Sequence, residues 1–431
     1  MILNAHSAMA NQSTLAPSWN TSIGTPVRVE LFHVKHCSAG PPTDGGEWLT
    51  WPSTATIPIV RTMHRASIAL PVILITLLLA ACSGGEAKPE GWASPVFDAE
   101  MTYTFQNKDS LTAIDGAGNV RWAFPDKNKA GQKDIKLEAV YGKPVLLHGT
   151  LYFATHGGDL LAVSASNGDL IWRVDIQESV VGDVAIADGR IALGTTEGNL
   201  FVRNLLDGAA PPAWPAKGKR LDGPIWAPIL TQNGLLYVAT MRGHGLAFDL
   251  DTSRETWTSQ FKADGAIADL ALLPDGRLFV PSLDKHVYIL DAKSGVQIGE
   301  SIATSDWAWG VPAVTASGAI VFSDISGRVY AVDGPTGATL WTYDTGDRVK
   351  SSPVIIGTTV LLADRAPTVH FIDATTGQRL NAVPLTNVGT IRATPTVREG
   401  VAFFLTTKGH IMKADPALRA VIEERVGRYR Q

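Results

Sequence analysis

Cysteine is nearly absent from this chain of 431 residues, which has only Cys37 and Cys82. Neither lies in the repeat region that follows, so that region can form no disulfide, no thiolate metal cluster and no cysteine nucleophile. An excess of positive charge is missing too. From Cys82 onward, 33 Lys and Arg stand against 38 Asp and Glu, a net charge of −5 that does not suit a polyanion-binding surface. Nucleic acid is not an expected partner. The apolar run from Ile68 to Ala81 has 14 residues, short of the ~20 that a membrane-spanning helix needs. GxSxG, HExxH, Walker A and EF-hand spacings are also missing, which removes the enzyme classes those motifs carry.

What is present points to strands. Hydrophobic residues make up 45% and charged residues 18%, enough apolar side chain for a core and too little charge for disorder. Forty-one glycines, 25 prolines and 12 tryptophans suit many short strands joined by tight turns. An all-β fold is expected.

The N-terminal part reads as an address. Residues 63–81 have a short basic start at His64 and Arg65, then the apolar run, then small residues, the pattern of a secretory signal. Leu79-Ala80-Ala81-Cys82 is similar to the bacterial lipobox, which implies cleavage before Cys82 and lipid attachment to its thiol. Residues 1–62 precede that signal without any pattern of their own, so Met63 is the expected initiator. His33, His36 and Cys37 have no supporting pattern and are not read as a metal site. Residues 82–90, small or charged, form a tether, and 91–431 the folded body. The expected location is the periplasmic or extracellular face of a bacterial membrane, with lipid on Cys82 as anchor.

From Trp92 onward a unit of about 42 residues repeats. Its clearest copy is AVDGPTGATLW, Ala331 to Trp341. Its phase marker recurs as Asp115, Ser164, Asn204, Asp249, Asp291, Asp333, Asp373 and Asp415, at spacings of 49, 40, 45, 42, 42, 40 and 42. Each unit contains four short β-rich runs, the grammar of one propeller blade. The Asp opens a turn by accepting backbone hydrogen bonds, and the Gly four residues later can take the positive φ of a tight hairpin. The recurring Trp is expected on the outermost strand, packed between blades. The last unit should draw its outer strand from about Ala420 to Val426 instead of borrowing one from the N-terminus.

The in-phase recurrence of AxDxxTGxxxW resembles the pyrroloquinoline-quinone-like propeller family over residues 92–431. The resemblance implies a single β-propeller of about eight four-stranded blades. The family includes quinoprotein dehydrogenases and non-catalytic envelope lipoproteins, the BamB-like group. Lipobox, tether and length are similar to the second group. A quinoprotein of this family would carry a calcium site, a catalytic Asp and, typically, a vicinal disulfide, and no cysteine lies beyond Cys82. No catalytic residue, cofactor or metal is expected.

One constellation remains. Two or three residues ahead of the proline that opens an inner strand stand Trp92, Tyr141, Trp226, Trp309, Lys350 and Arg392. Because strand direction alternates within a blade, these lead-in segments must share one face with the turns between second and third strands. Trp, Tyr and Arg dominate binding energy at interfaces, so this ring is a candidate binding face; its tryptophans could instead fill gaps between blades. His156, His244, His286, His370 and His410 recur after second strands and are read as solvated or half-buried, not as metal ligands. The expected function is a membrane-tethered, monomeric, non-catalytic scaffold for an envelope protein. A ligand- or glycan-binding propeller is the alternative, and a quinoprotein dehydrogenase a more distant one.

Overall fold

The computed structural model describes residue 91, residues 93–107 and residues 110–424. Cys82, the 1–62, 63–81 and 82–90 segments, and Trp92 lie outside the described residues. Every regular element described is a strand, and 32 of them form eight four-stranded antiparallel sheets of consecutive strands. The blades run 96–124, 145–175, 185–220, 230–262, 271–303, 308–344, 354–384 and 396–424. The chain is an eight-bladed β-propeller.

Blade 7 shows how the sequence makes a blade. Its second strand, Thr359–Ala363, is buried at every position. Neighbouring blades cover both of its faces, so it reads as continuous TVLLA where a one-sided strand would alternate. Its third strand, Thr368–Asp373, ends on the phase marker. There the Asp373 carboxylate accepts the N–H groups of Thr375 at 3.0 Å and Thr376 at 2.8 Å. Gly377, at φ +71°, then closes the turn onto the Asp373 carbonyl at 2.9 Å. The same bonds hold Asp333 and Asp373 below the usual carboxylate range, Asp333 through Thr336 and Asp373 through Thr376. The repeated aspartates are turn-formers. Two blades lack the glycine, and there Ser253 and Arg419 adopt positive φ in its place.

Tryptophan joins one blade to the next. The indole N–H groups of Trp122, Trp172, Trp257 and Trp341 each donate at 3.0 Å to Ala165, Leu205, Ala292 and Ala374, the residue following the phase marker of the next blade. Trp214 makes the same bond to Leu250 at 2.7 Å. Trp122, Trp172 and Trp341 lie on outer strands as expected, whereas Trp214 and Trp257 stand just ahead of theirs. Each core is accordingly shared between neighbours: one combines Leu361, Val369 and Phe371 of blade 7 with Ala402, Phe404 and Met412 of blade 8. Blade 5, with Gly299 in the Trp position, offers the Gly337 turn only Ile302.

The ring closes without exchanging strands. Blade 8 takes its outer strand from its own C-terminal chain, Ala420–Glu424. Its seam with blade 1 is built on Phe403, Leu405 and Ile411 with Phe97 and Val401 beside them. Polar ties reinforce it: Ser94 Oγ donates to Thr394 O at 2.7 Å, Thr396 Oγ1 to Pro95 O at 2.9 Å, and Arg398 to Ala99 O at 3.0 Å.

Candidate functional site

The lead-in segments are locked by a bond repeated in seven blades. The second residue of each turn between second and third strands donates its N–H to a lead-in carbonyl: His156 to Ala139, Thr196 to Ser179, Met241 to Pro224, Leu283 to Ala266, Ile325 to Trp307, Arg365 to Arg348 and Thr407 to Thr390. These bonds are 2.8–2.9 Å long. Lead-ins and turns therefore occupy one end of the propeller, as strand alternation requires. The next lead-in residue is buried and apolar in each of these blades, for example Val140, Ile225, Val349 and Ile391. Because successive side chains of an extended chain point to opposite sides, the residue after it turns away from the blade core.

That following position holds Tyr141, Trp226, Trp309, Lys350 and Arg392. The structure brings these five sequence-chosen residues to one end; the sixth, Trp92, lies outside the described residues. Trp226, Trp309, Lys350 and Arg392 are partly exposed. Tyr141 is buried, its ring edge-on to His156 at a centroid distance of 5.6 Å, so it packs within the rim and is not presented at the surface. Blades 3 and 5 complete the circle with Val181 and Ala268. The indole N–H of Trp226 is buried and finds no acceptor among the described residues. Over blades 7 and 8 this end carries Arg348, Lys350, Arg365, Arg392 and Lys408 together with Asp344, Asp347, Asp364 and Glu423, and Arg365 lies 3.6 Å from Asp347.

Sequence reading missed a second set. Two residues ahead of the inner strands of blades 3 and 5 stand Asp183 and Asp269, where blade 2 has Lys143. Asp183 accepts the Lys143 N–H at 2.7 Å, tying blade 3 to blade 2, and Asp269 accepts the N–H of Leu270 at 3.0 Å. Burial pushes the Asp269 carboxyl up to about 7, with the charge on Asp183 adding to the shift. Asp183 is itself pushed up by burial, opposed by Lys143. The lead-ins of blades 3 and 5 contain no proline ahead of their inner strands, with Val184 and Leu270 in the last position, so the proline signal that marks the other lead-ins is missing there.

The histidines have local partners. His244 Nδ1 meets Asp222 at 2.5 Å and His410 Nδ1 meets Glu423 at 2.6 Å. His370 is a correction: it is fully buried, neither solvated nor half-buried, between Tyr343 Oη and Asp364 Oδ2, each at 3.0 Å. Among the described residues no three of His, Cys, Asp and Glu converge as metal ligands.

The profile of the family described as outer membrane protein assembly factor BamB matches residues 107–218, 212–309 and 326–420. The BamB of Burkholderia pseudomallei is 25% identical over 323 residues, covering 62% of this chain and 82% of that protein. A tetrathionate hydrolase of Acidithiobacillus ferrooxidans is 21% identical over 403 residues, covering 77% of this chain and 81% of that enzyme. The crystal structure of BamB from Moraxella catarrhalis superposes with a TM-score of 0.60 at 18% identity, covering 74% of this chain and 93% of that one. The fold thus carries both assembly factors and an enzyme. With matches running from the first blade into the last, the chain belongs to the family of the outer membrane protein assembly factor BamB.

Proposed function

We propose that this protein is a non-catalytic docking scaffold of the bacterial envelope, anchored to a membrane by lipid on Cys82 and engaging a partner protein with its lead-in end. The observation that carries this reading is the locked ring itself. Seven repeated backbone bonds fix the segments that present Trp226, Trp309, Lys350 and Arg392. A preformed surface loses little freedom on binding, which favours affinity. Family membership supports an outer-membrane assembly complex as the setting.

Trp309→Ala and Arg392→Ala are expected to weaken partner capture about thirtyfold each, the effect of losing ~2 kcal/mol at an interface anchor. Capture from crosslinked cells and thermal melting should be measured on the same variants. Intact capture with a large loss of melting temperature would show that Trp309 is core. Cys82→Ala should release a folded propeller into the soluble fraction; unchanged membrane fractionation would remove the anchor.

A small-molecule or glycan site is the second reading, favoured by the unsatisfied indole N–H of Trp226. Saturable quenching of tryptophan fluorescence by sugars, lost in Trp226→Phe, would move the function to that reading.

A further inference from the structure

We infer that Asn233 is a site of spontaneous deamidation, and that its isoaspartate product loosens the junction between blades 3 and 4. The site lies in a hairpin tip at the end of the propeller opposite the lead-ins, so it stands apart from the docking role.

Asparagine is followed by glycine at two places in the chain, 167–168 and 233–234. Such a pair cyclises readily because glycine has no side chain to obstruct attack by its own backbone nitrogen. The fold treats the two pairs differently. Asn167 is held: its side-chain N–H donates to Asp169 Oδ2 at 2.7 Å and its Oδ1 accepts the Asp169 N–H at 3.1 Å. Gly168 is buried, and its N–H, on the nitrogen that would attack, is committed to Ser164 O at 2.9 Å.

Asn233 has none of these restraints. It is exposed, and with Gly234 it forms a two-residue loop between the paired residues Gln232 and Leu235, at φ +52° and +75°. Asparagine and glycine are favoured in that loop because both central residues need positive φ. Among the described residues, no hydrogen bond engages the Asn233 side chain or the Gly234 N–H. A Cβ at Gly234 would meet nothing within 4 Å, so the peptide has room to turn toward the side chain. The corresponding tips of blades 2, 3 and 8 place His148, Asp188 and Glu399 before glycine, also at positive φ, and none of these has an amide to lose.

The reaction needs only water. Once base has removed its proton, Gly234 N bonds to Asn233 Cγ, and the Cγ–Nδ2 bond breaks, its electron pair leaving as ammonia with a proton from solvent. Water then opens the cyclic imide at either carbonyl. Opening at Cγ gives aspartate; opening at the backbone carbonyl gives isoaspartate, whose main chain runs through Cβ and Cγ and is one carbon longer. That length matters here. Gly234 O accepts the Leu250 N–H at 2.8 Å, and Leu250 O takes the Trp214 indole N–H of blade 3 at 2.7 Å and the Arg190 guanidinium of blade 3 at 3.2 Å. A two-residue loop cannot absorb the extra carbon without shifting Gly234, and with it the oxygen that blade 3 grips.

The purified full-length protein is incubated at pH 8, folded and in urea, and conversion at each pair is followed by peptide mass spectrometry, with isoaspartate scored by electron-transfer fragmentation. In the folded protein Asn233 is expected to convert about tenfold faster than Asn167 or more, because the Gly168 N–H must first be freed by local opening. In urea the two rates should be nearly equal, and isoaspartate should exceed aspartate at 233. Comparable rates in the folded protein, or the same ratio in urea as in the fold, overturn the site. The aged protein should melt lower than both fresh protein and Asn233→Asp, which has the charge without the added carbon. Unchanged melting on ageing, or an Asn233→Asp variant that melts as low as the aged protein, refutes the loosening of the junction.

Discussion

Trp257→Ala should cost about 3–5 kcal/mol of folding stability, and Gly295→Ala a comparable amount, while the double variant costs far less than the two together. The Trp257 ring is buried, with its N–H on Ala292 O at 3.0 Å. Gly295, at φ +74°, lies against it, so that a Cβ would sit 2.4 Å from Trp257 Cδ2 and 2.5 Å from Cε3. Alanine at 295 must therefore displace the ring as well as hold a left-handed backbone. With the ring gone, only the backbone penalty remains, about 1–2 kcal/mol. Urea unfolding of the four proteins in a double-mutant cycle should give a coupling of about 2 kcal/mol or more. Additive losses would show that glycine is required at 295 for its φ alone.

The second large effect depends on pH. Asp269 titrates near 7 in the folded chain, against 3.8 for an ordinary aspartate. The folded state thus keeps a proton that the unfolded chain releases between about pH 4 and 7. The stability this contributes is complete below the unfolded value and is lost as pH rises through the folded one. A rise of that size corresponds to about 4 kcal/mol at most, and the partial exposure of Asp269 lowers that. Asp269→Asn should lose less melting temperature between pH 5 and pH 8 than the parent does, the remaining slope coming from Asp183, which burial also pushes up. Asp183→Asn should remove only part of the slope, because burial outranks the Asp183 charge as the cause. Parallel melting profiles for parent and Asp269→Asn would sink the assignment.

Strand content, blade count and the capping aspartates were legible because each is a local property repeated eight times. Asp373 caps its own turn within three residues, and no distant contact is needed to read that. The ring was legible in part. Trp226, Trp309, Lys350 and Arg392 share one end because alternation of strand direction fixes which loops lie together. Tyr141 shares the offset but not the exposure, since its burial depends on His156 from another turn of its blade. His370 likewise joins Tyr343 and Asp364 across strands, a contact no spacing announces.

The sequence by itself determined the repeat, the four-strand blade and the end of the molecule where the lead-ins gather, because these follow from periodicity and from turn chemistry acting within a few residues. Tertiary structure alone decided how the last blade meets the first, which ring residues reach the surface, and that Asp269 of blade 5 is shifted by its burial and by the charge on Asp183 of blade 3. Those outcomes depend on ring closure, which brings residues far apart in the chain to one axis and sets their burial by neighbours that the local sequence does not contain.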